Sequence, residues 1–162
     1  MLPRLGLGAL VGVACGLASA VFLHLLDRAT AFREGHTWIV YTLPLAGLVI
    51  GLVYERWGAP IKTGNNLVID TLHENGPRIP LRMAPMVLVG TVLTHLFGGS
   101  AGREGTAVQM GASLADALAF RFRAGRDLRR ALIASGIAGG FGSVFGTPVA
   151  GVVFALEVVT VG

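Results

Sequence analysis

Charged side chains are scarce in this sequence. Asp, Glu, Lys and Arg make up 14% of its 162 residues, against about 25% in an ordinary soluble domain. The mean hydropathy of +0.69 leaves little polar material from which to build a water-facing surface. This composition excludes an ordinary soluble domain and favours a protein that lies in a membrane. The length fits one domain, or one half of a larger repeated domain.

Cysteine and metal-ligand patterns are nearly absent as well. Cys15 is the single cysteine and stands in an apolar run, so it has no disulfide partner and is expected to be a small packing residue. The net charge is +4, but the arginines lie between apolar segments without interleaved aromatic residues, which favours membrane edges over nucleic acid. We therefore predict no metal site, no cofactor and no nucleic-acid partner. The histidines are scattered at His24, His36, His73 and His95.

Two long apolar runs are predicted to cross the membrane. Residues 5–26 form 22 residues without a formal charge, and a helix of that length covers the roughly 30 Å hydrocarbon core. A signal peptide is the alternative, because Arg4 precedes the run and Ala-Ser-Ala at 18–20 resembles a cleavage site. Residues 37–54 follow, with aromatic residues at both ends and with Pro44 predicted to kink the helix.

Short or broken helices are predicted after these two spans. Residues 65–74 form a helix too short to cross, ended by Asn75-Gly76-Pro77. Two moderately apolar segments, 83–99 and 106–120, flank a glycine-rich loop, and the apolar C-terminal run is broken into two helices at Gly146–Pro148. Discontinuous helices at membrane depth are the best sequence indication of a transport site.

The positions of arginine and glycine in the sequence allow two further predictions, one about topology and one about helix packing. Residues 121–130 hold five arginines and one aspartate, and a loop this basic is expected in the cytoplasm. Most of the 24 glycines are predicted to let helices approach closely. Two nucleotide-binding motifs are excluded, because the loop at 98–105 lacks the lysine of a P-loop and 140–146 lacks the strands of a Rossmann unit.

The loop at 98–105 differs from the other glycine-rich stretches because it carries Arg103 and Glu104 into a helix predicted to start near Gly105. The unpaired N–H groups and the dipole of a helix start attract anions. An ionised Glu104 would occupy such a site as a tethered anion; once protonated, it would leave and admit a free anion, linking anion movement to a proton. The alternative is a simple helix cap, worth about 0.3–1 kcal/mol at a surface. An ionisable group within a membrane segment favours the functional hypothesis, whereas for Arg103 an anchoring role and a functional role fit equally.

A second helix start is predicted at residues 63–70. Asn65 and Asn66 are favourable N-cap residues, and capping alone would explain one of them. Two such starts in one small membrane unit predict that both helices point at the same central anion.

Three segments resemble one family. GREGTAVQMG at 102–111 is similar to the gating-glutamate motif of the CLC chloride channels and transporters, and FGTPVAGVVFALE at 145–157 is similar to a later helix of that family. KTGNN at 62–66 lies where the family has its first anion-binding loop. The resemblance covers essentially the whole chain. It implies an all-α integral membrane protein, a CLC-type bundle of full-length and broken helices, in which 1–162 form a single membrane domain corresponding to the first of two inverted halves.

The resemblance also implies roles for individual residues. Glu104 takes the position of the gating and proton-coupling glutamate, and Asn65 that of the serine that contacts the anion. The implied anion-binding residues belong to the two helix starts: Gly64, Asn65, Asn66, Gly102, Arg103, Gly105 and Thr106.

Departures from the chloride-type pattern indicate a branch of the family. Asn65 in place of serine and Thr106 in place of proline resemble the fluoride-exporting bacterial antiporters. The inner proton-transfer glutamate of the chloride antiporters aligns with Val158, and its absence also resembles the fluoride branch; Glu157 matches the preceding family glutamate and is expected to be structural. In the family, the second half supplies another helix start and a tyrosine that contacts the anion. The two tyrosines of this sequence, Tyr41 and Tyr54, lie in the second span and do not match that tyrosine.

The expected function is anion transport as half of a CLC-type transporter, with fluoride/proton antiport as the first hypothesis. A passive chloride channel and a non-transporting membrane fragment are the alternatives. The implied partners are the lipid bilayer and either a second copy in a homodimer or a complementary second half. The implied location is a multi-pass position in the bacterial inner membrane, with fluoride or chloride and protons as the transported species.

Overall fold

A computed structural model describes residues 2–73 and 76–161, and helices joined by short loops make up this part of the chain. The all-α prediction is confirmed. The predicted helix end at Asn75 lies outside the described residues. In chain order the helices are α1 Leu2–Gly35, α2 Leu43–Trp57, α3 Asn65–His73, α4 Met83–Leu96, α5 Arg103–Arg121, α6 Arg126–Phe145 and α7 Pro148–Val161, with 3₁₀ turns at Thr37–Thr42 and Ala59–Ile61.

Two segments are long and apolar enough to cross a membrane: Leu5–Gly35, with mean hydropathy 2.2, and Thr37–Trp57, with mean hydropathy 1.7. The first helix continues nine residues beyond the predicted end at residue 26 and includes charged residues in its last turns. Phe22 and Leu26 of α1 are buried in the core. This packing makes α1 part of the bundle and argues against the signal-peptide alternative.

Pro44 does not kink a helix, so that prediction is wrong. The chain forms a 3₁₀ turn over Thr37–Thr42, and α2 begins at Leu43. Pro44 therefore lies in the first turn of α2, where its missing N–H removes no intrahelical hydrogen bond.

The close approach of α5 and α6 depends on glycine. A Cβ added to Gly111 would overlap the carbonyl oxygen of Gly136, and one added to Gly140 would overlap that of Ala107. The packing prediction is confirmed for these residues. It stays a prediction for several glycines of the first two helices, where an added Cβ would meet no atom of the described chain within 4 Å: Gly6, Gly8, Gly12, Gly16, Gly47 and Gly51.

Two smaller predictions about the fold are confirmed. Cys15 is a buried packing residue, with its Sγ 3.6 Å from the carbonyl oxygen of Gly136. The C-terminal apolar run is broken where Gly146 adopts a left-handed conformation (φ +67°) and ends α6, and Pro148 then begins α7.

The position of α5 is fixed at its C-terminal half by the loop at 76–82. The hydroxyl of Ser113 donates to the carbonyl oxygen of Pro80 at 2.9 Å, and the N–H of Ile79 donates to Asp116 Oδ2 at 2.7 Å. The opposite end of α5 follows the loop at 97–102, next to α4. The α5 start is thereby held at a fixed depth in the bundle.

Candidate functional site

The α5 start is an open helix N-terminus. Gly102 is the N-cap, with an extended backbone (φ −67°, ψ 139°), and the helix begins at Arg103, two residues earlier than predicted. The N–H groups of Arg103, Glu104 and Gly105 precede the first intrahelical donor, so they point out of the helix end. Because the N-cap is glycine, it has no side chain with which to cap them. The helix end therefore keeps the partial positive charge that attracts an anion.

The Glu104 carboxylate is turned back over this helix end. Its Oε2 lies 2.8 Å from the position that a Cβ on Gly102 would occupy. Any larger residue at 102 would therefore compete with the carboxylate for space. The side chain of Glu104 is otherwise exposed, so an exit path from this position is open in the described chain.

The α3 start lies beside the α5 start. Asn65 Oδ1 accepts a hydrogen bond of 2.9 Å from Gln109 Nε2. A Cβ on Gly105 would lie 3.5 Å from Asn65 Nδ2, and one on Gly64 would lie 3.4 Å from Gln109 Nε2. The two predicted helix starts are thus neighbours; that they share an anion stays a prediction.

The N-cap prediction for the asparagines is wrong. Both belong to the first turn of α3, which begins at Asn65. Gly64 precedes the helix with a positive φ of 58°, a conformation that glycine adopts without strain. The N–H of Asn66 donates to the carbonyl oxygen of Thr63 at 3.1 Å, and its exposed side chain makes no hydrogen bond within the described residues. Of the two asparagines, only Asn65 is joined to α5.

The remaining predicted residues separate into buried and exposed ones. Thr106 is 6% exposed, and its Oγ1 lies 2.6 Å from Thr91 Oγ1 on α4; it ties the helix start to α4. Arg103 is exposed, and no hydrogen bond of its side chain is seen in the described part of the chain. The anchoring role considered for Arg103 therefore has no contact to support it.

A crevice of about 290 Å³ lies against the α5 start. The N-cap Gly102 and the α5 residues Gly105, Thr106 and Gln109 form one wall, and α2 and α4 form the other. The opposite wall includes Tyr54, Val87, Gly90, Thr91 and Thr94.

Sequence reasoning missed two residues of this crevice. Gln109 lies one turn after Gly105 and faces the same way, so the helical spacing of four could have identified it. Tyr54 looked like part of an aromatic belt, yet its hydroxyl reaches the interior and donates to the carbonyl oxygen of Met86 at 3.0 Å. No local pattern marks Tyr54, because its position depends on how α2 packs on α4.

A buried ion pair was also missed. Asp116 is fully buried, and Arg129 Nε lies 2.6 Å from its Oδ1. The Nη2 atom of Arg129 lies 3.1 Å from Asp116 Oδ2, which also accepts the N–H of Ile79. A single aspartate in the middle of an apolar helix was the available signal, because such a group needs a partner.

Glu157 and Val158, which align with two glutamates of the CLC family, lie near the end of α7. Glu157 is exposed, whereas Val158 is partly buried and packs against the core. The structural role expected for Glu157 stays a prediction.

An all-helical bundle with two membrane-length segments, broken helices and a carboxylate at a glycine-lined helix start has the features of a polytopic membrane protein. The chain belongs to the voltage-gated chloride channel family, the CLC proteins, whose family model matches residues 46–161. Membership makes it an integral membrane protein and confirms the CLC-type fold.

Individual relatives agree with this assignment. The chain is 54% identical over 158 residues to the chloride/fluoride channel protein of Pseudomonas syringae pv. tomato, covering 98% of this chain and 35% of that protein. It is 31% identical over 165 residues to the H(+)/Cl(−) exchange transporter ClcA of Cronobacter sakazakii, covering 93% of this chain and 35% of the relative. The crystal structure of a CLC-type fluoride/proton antiporter matches with a TM-score of 0.90 and 42% identity, covering 96% of this chain and 40% of that one. The chain thus spans about a third of the length of these curated relatives.

Proposed function

We propose that this chain forms one half of the anion pathway of a CLC-type fluoride/proton antiporter, with Glu104 as the gating glutamate. The observation that carries the proposal is the Glu104 carboxylate lying over Gly102 at the open start of α5, beside the start of α3. A helix end with free N–H groups stabilises either this carboxylate or a free anion, but their like charges disfavour both at once.

Proton coupling follows from this competition. When Glu104 is ionised, its carboxylate is held by the positive end of α5 and excludes other anions. When it takes up a proton, it loses that attraction and swings toward solvent, and one anion takes its place at the N–H groups. Loss of the proton draws the carboxylate back and expels the anion. Gly102 gives the side chain room for this movement, and the Asn65–Gln109 hydrogen bond keeps the two helix starts together.

Fluoride is the proposed substrate. The solved structure at 42% identity is titled a fluoride/proton antiporter, and the relative at 54% identity is named a chloride/fluoride channel protein. The H(+)/Cl(−) exchange transporter is more distant, at 31% identity. Asn65 and Thr106, which depart from the chloride-type pattern, lie at or next to the converging helix starts. A passive channel is the second candidate, supported by the name of the 54% identical relative.

The pathway needs a second wall, which we propose comes from a second copy of the chain or from a complementary second half. Exposed apolar side chains on α7 provide a surface for such a contact: Val149, Val152, Val153 and Leu156. The proposed location is the bacterial inner membrane.

The test is ion efflux from liposomes that contain the purified chain. Fluoride and chloride efflux are measured in parallel, together with proton uptake, for wild type, Glu104→Gln and the matched exposed-acid control Asp127→Asn. We expect fluoride to leave faster than chloride, and proton uptake to disappear in Glu104→Gln but not in Asp127→Asn. Fluoride efflux without proton uptake in the wild type would support the channel. Proton coupling that survives in Glu104→Gln would refute the gating role.

A further inference from the structure

A second cavity, lined in part by arginines, lies at the opposite end of α5. Its volume is about 330 Å³, and it is lined by Ala119, Phe120, Arg123, Ala124, Arg126 and Arg129. The residues come from the end of α5, the turn between the helices and the start of α6. Three guanidinium groups thus lie around one small cavity, and arginine is the side chain that best matches the geometry of an oxyanion.

One of the three arginines is fixed and the other two are available. Arg129 is held by Asp116 and stacks over the Phe120 ring, with its Cζ 5.0 Å from the ring centroid. Arg123 and Arg126 are exposed, and the described part of the chain shows neither in a salt bridge. Asp116 offsets the charge of Arg129, and Asp127 is exposed in the first turn of α6. Two acids near three arginines leave the positive charge around the cavity only partly offset.

The turn that carries Arg123 is unusual. Arg123 has a φ of +52°, the one positive φ of a non-glycine residue in the described chain. The N–H of Ala124 donates to the carbonyl oxygen of Ala119 at 2.9 Å, which closes the end of α5 in a conformation that normally favours glycine. A glycine at position 123 would adopt this conformation without strain but would bring no charge. The arginine instead places a charged side chain next to the start of α6.

The cavity lies in a basic turn with exposed apolar side chains beside it. The turn at 121–130 holds five arginines and one aspartate, and a turn this basic in a membrane protein is typical of the cytoplasmic edge of the membrane. Phe120 and Phe122 beside the arginines are 45% and 50% exposed. Exposed apolar rings beside a cluster of arginines favour a site at the membrane surface.

We infer that this cavity binds the phosphate of an anionic phospholipid headgroup. Arg123 and Arg126 donate to the phosphate oxygens from two sides, Arg129 provides the fixed rear wall, and the two phenylalanines contact the upper acyl chain. The arrangement combines a basic pocket with an apolar rim, which suits a lipid better than a free phosphate. The site is separate from the Glu104 site, and its existence does not depend on the proposed transport function.

The test measures lipid retention by native mass spectrometry of the purified chain in detergent. Phosphatidylglycerol is titrated against wild type, Arg123→Gln/Arg126→Gln and Arg123→Lys/Arg126→Lys. Zwitterionic phosphatidylcholine is the lipid control. The matched charge control is Arg28→Gln/Arg56→Gln, which removes two exposed arginines outside the cavity. Circular dichroism checks that each variant keeps its helices.

We expect wild type to retain phosphatidylglycerol and not phosphatidylcholine. The glutamine pair at the cavity should lose affinity roughly thirtyfold, whereas the lysine pair and the charge control should keep most of it. Equal retention by wild type and the cavity glutamine pair would overturn the proposal, as would an equal loss in the charge control. Displacement of phosphatidylglycerol by inorganic phosphate at comparable concentration would assign the site to a soluble anion and overturn the proposal that it binds a lipid. If Arg123→Gln/Arg126→Gln does not fold, Arg123→Lys/Arg126→Lys provides the test. Equal retention of phosphatidylglycerol and phosphatidylcholine by this lysine variant would contradict a phosphate site.

Discussion

Two helices of this chain begin with the same succession of residue types: Gly102-Arg103-Glu104 starts α5, and Gly125-Arg126-Asp127 starts α6. In both, the glycine is an extended N-cap, the arginine is the first helical residue and the acid is the second. Each acid lies in the first helical turn, where the helix dipole favours negative charge.

The surroundings of the two starts are different. Glu104 is folded over its N-cap glycine, next to a second helix start and a crevice of about 290 Å³. Nothing lies within 4 Å of a Cβ placed on Gly125, and Asp127 stands in an arginine-rich turn. A helix start therefore attracts an anion wherever it occurs, but it becomes a candidate transport site only when the fold brings a second start and an open crevice to it.

The largest expected effect is on stability, and it distinguishes the buried Asp116, which pairs with Arg129 of α6, from the exposed Asp127 of α6. Asp116→Asn should lower the free energy of unfolding by about 3 kcal/mol, because it leaves Arg129 partly buried without its counter-charge. Asp127→Asn should change it by no more than about 0.5 kcal/mol. Thermal unfolding in detergent, followed by circular dichroism, measures both. Equal shifts for the two variants would show that the ion pair does not hold the helices together.

A smaller effect is expected from alanine at the two N-cap glycines. Both substitutions lose the same capping preference, but only at Gly102 would the new Cβ meet Glu104 Oε2, at 2.8 Å. Gly102→Ala should displace the carboxylate and tighten fluoride binding roughly two- to fivefold, while Gly125→Ala should leave it unchanged. Isothermal titration calorimetry with fluoride makes the comparison. The same response at both positions would mean that the carboxylate does not depend on Gly102.

The smallest effect is expected at the α3 start. Asn65→Ala removes the hydrogen bond to Gln109 and should reduce the free energy of unfolding by about 0.5 kcal/mol, since the bond is exposed. Asn66→Ala is the matched control, because its exposed side chain makes no such bond in the described chain, and it should leave stability unchanged. Chemical unfolding curves for the two variants test this, and a larger loss for Asn66→Ala would contradict the assigned contact.

Much of the fold could be predicted, because most of its helices and breaks are marked by patterns within short continuous segments of the sequence. The apolar runs indicated α1 and the 37–57 segment, and Gly146–Pro148 marked the break between α6 and α7. The errors at Pro44 and at the asparagines concern one turn at a helix end, where a 3₁₀ turn or a positive φ at Gly64 decides which residue starts the helix.

The candidate site was predictable only in part. Glu104 could be identified because a carboxylate in a glycine-rich apolar segment needs an explanation. Tyr54 and Arg129 could not, because each reaches its partner across a large sequence separation: Tyr54 the carbonyl oxygen of Met86, and Arg129 the loop and helix around Asp116. Such contacts are set by packing between helices, which no short pattern records.

The measurement that tests the central claim most directly is fluoride binding to wild type, Glu104→Gln and Asp127→Asn under identical conditions. If Glu104 occupies the α5 start as a tethered anion, neutralising it should tighten fluoride binding roughly fivefold or more, and Asp127→Asn should bind fluoride as the wild type does. Unchanged binding in Glu104→Gln, or the same gain in Asp127→Asn, would contradict the claim that this carboxylate and a free anion compete for one helix end.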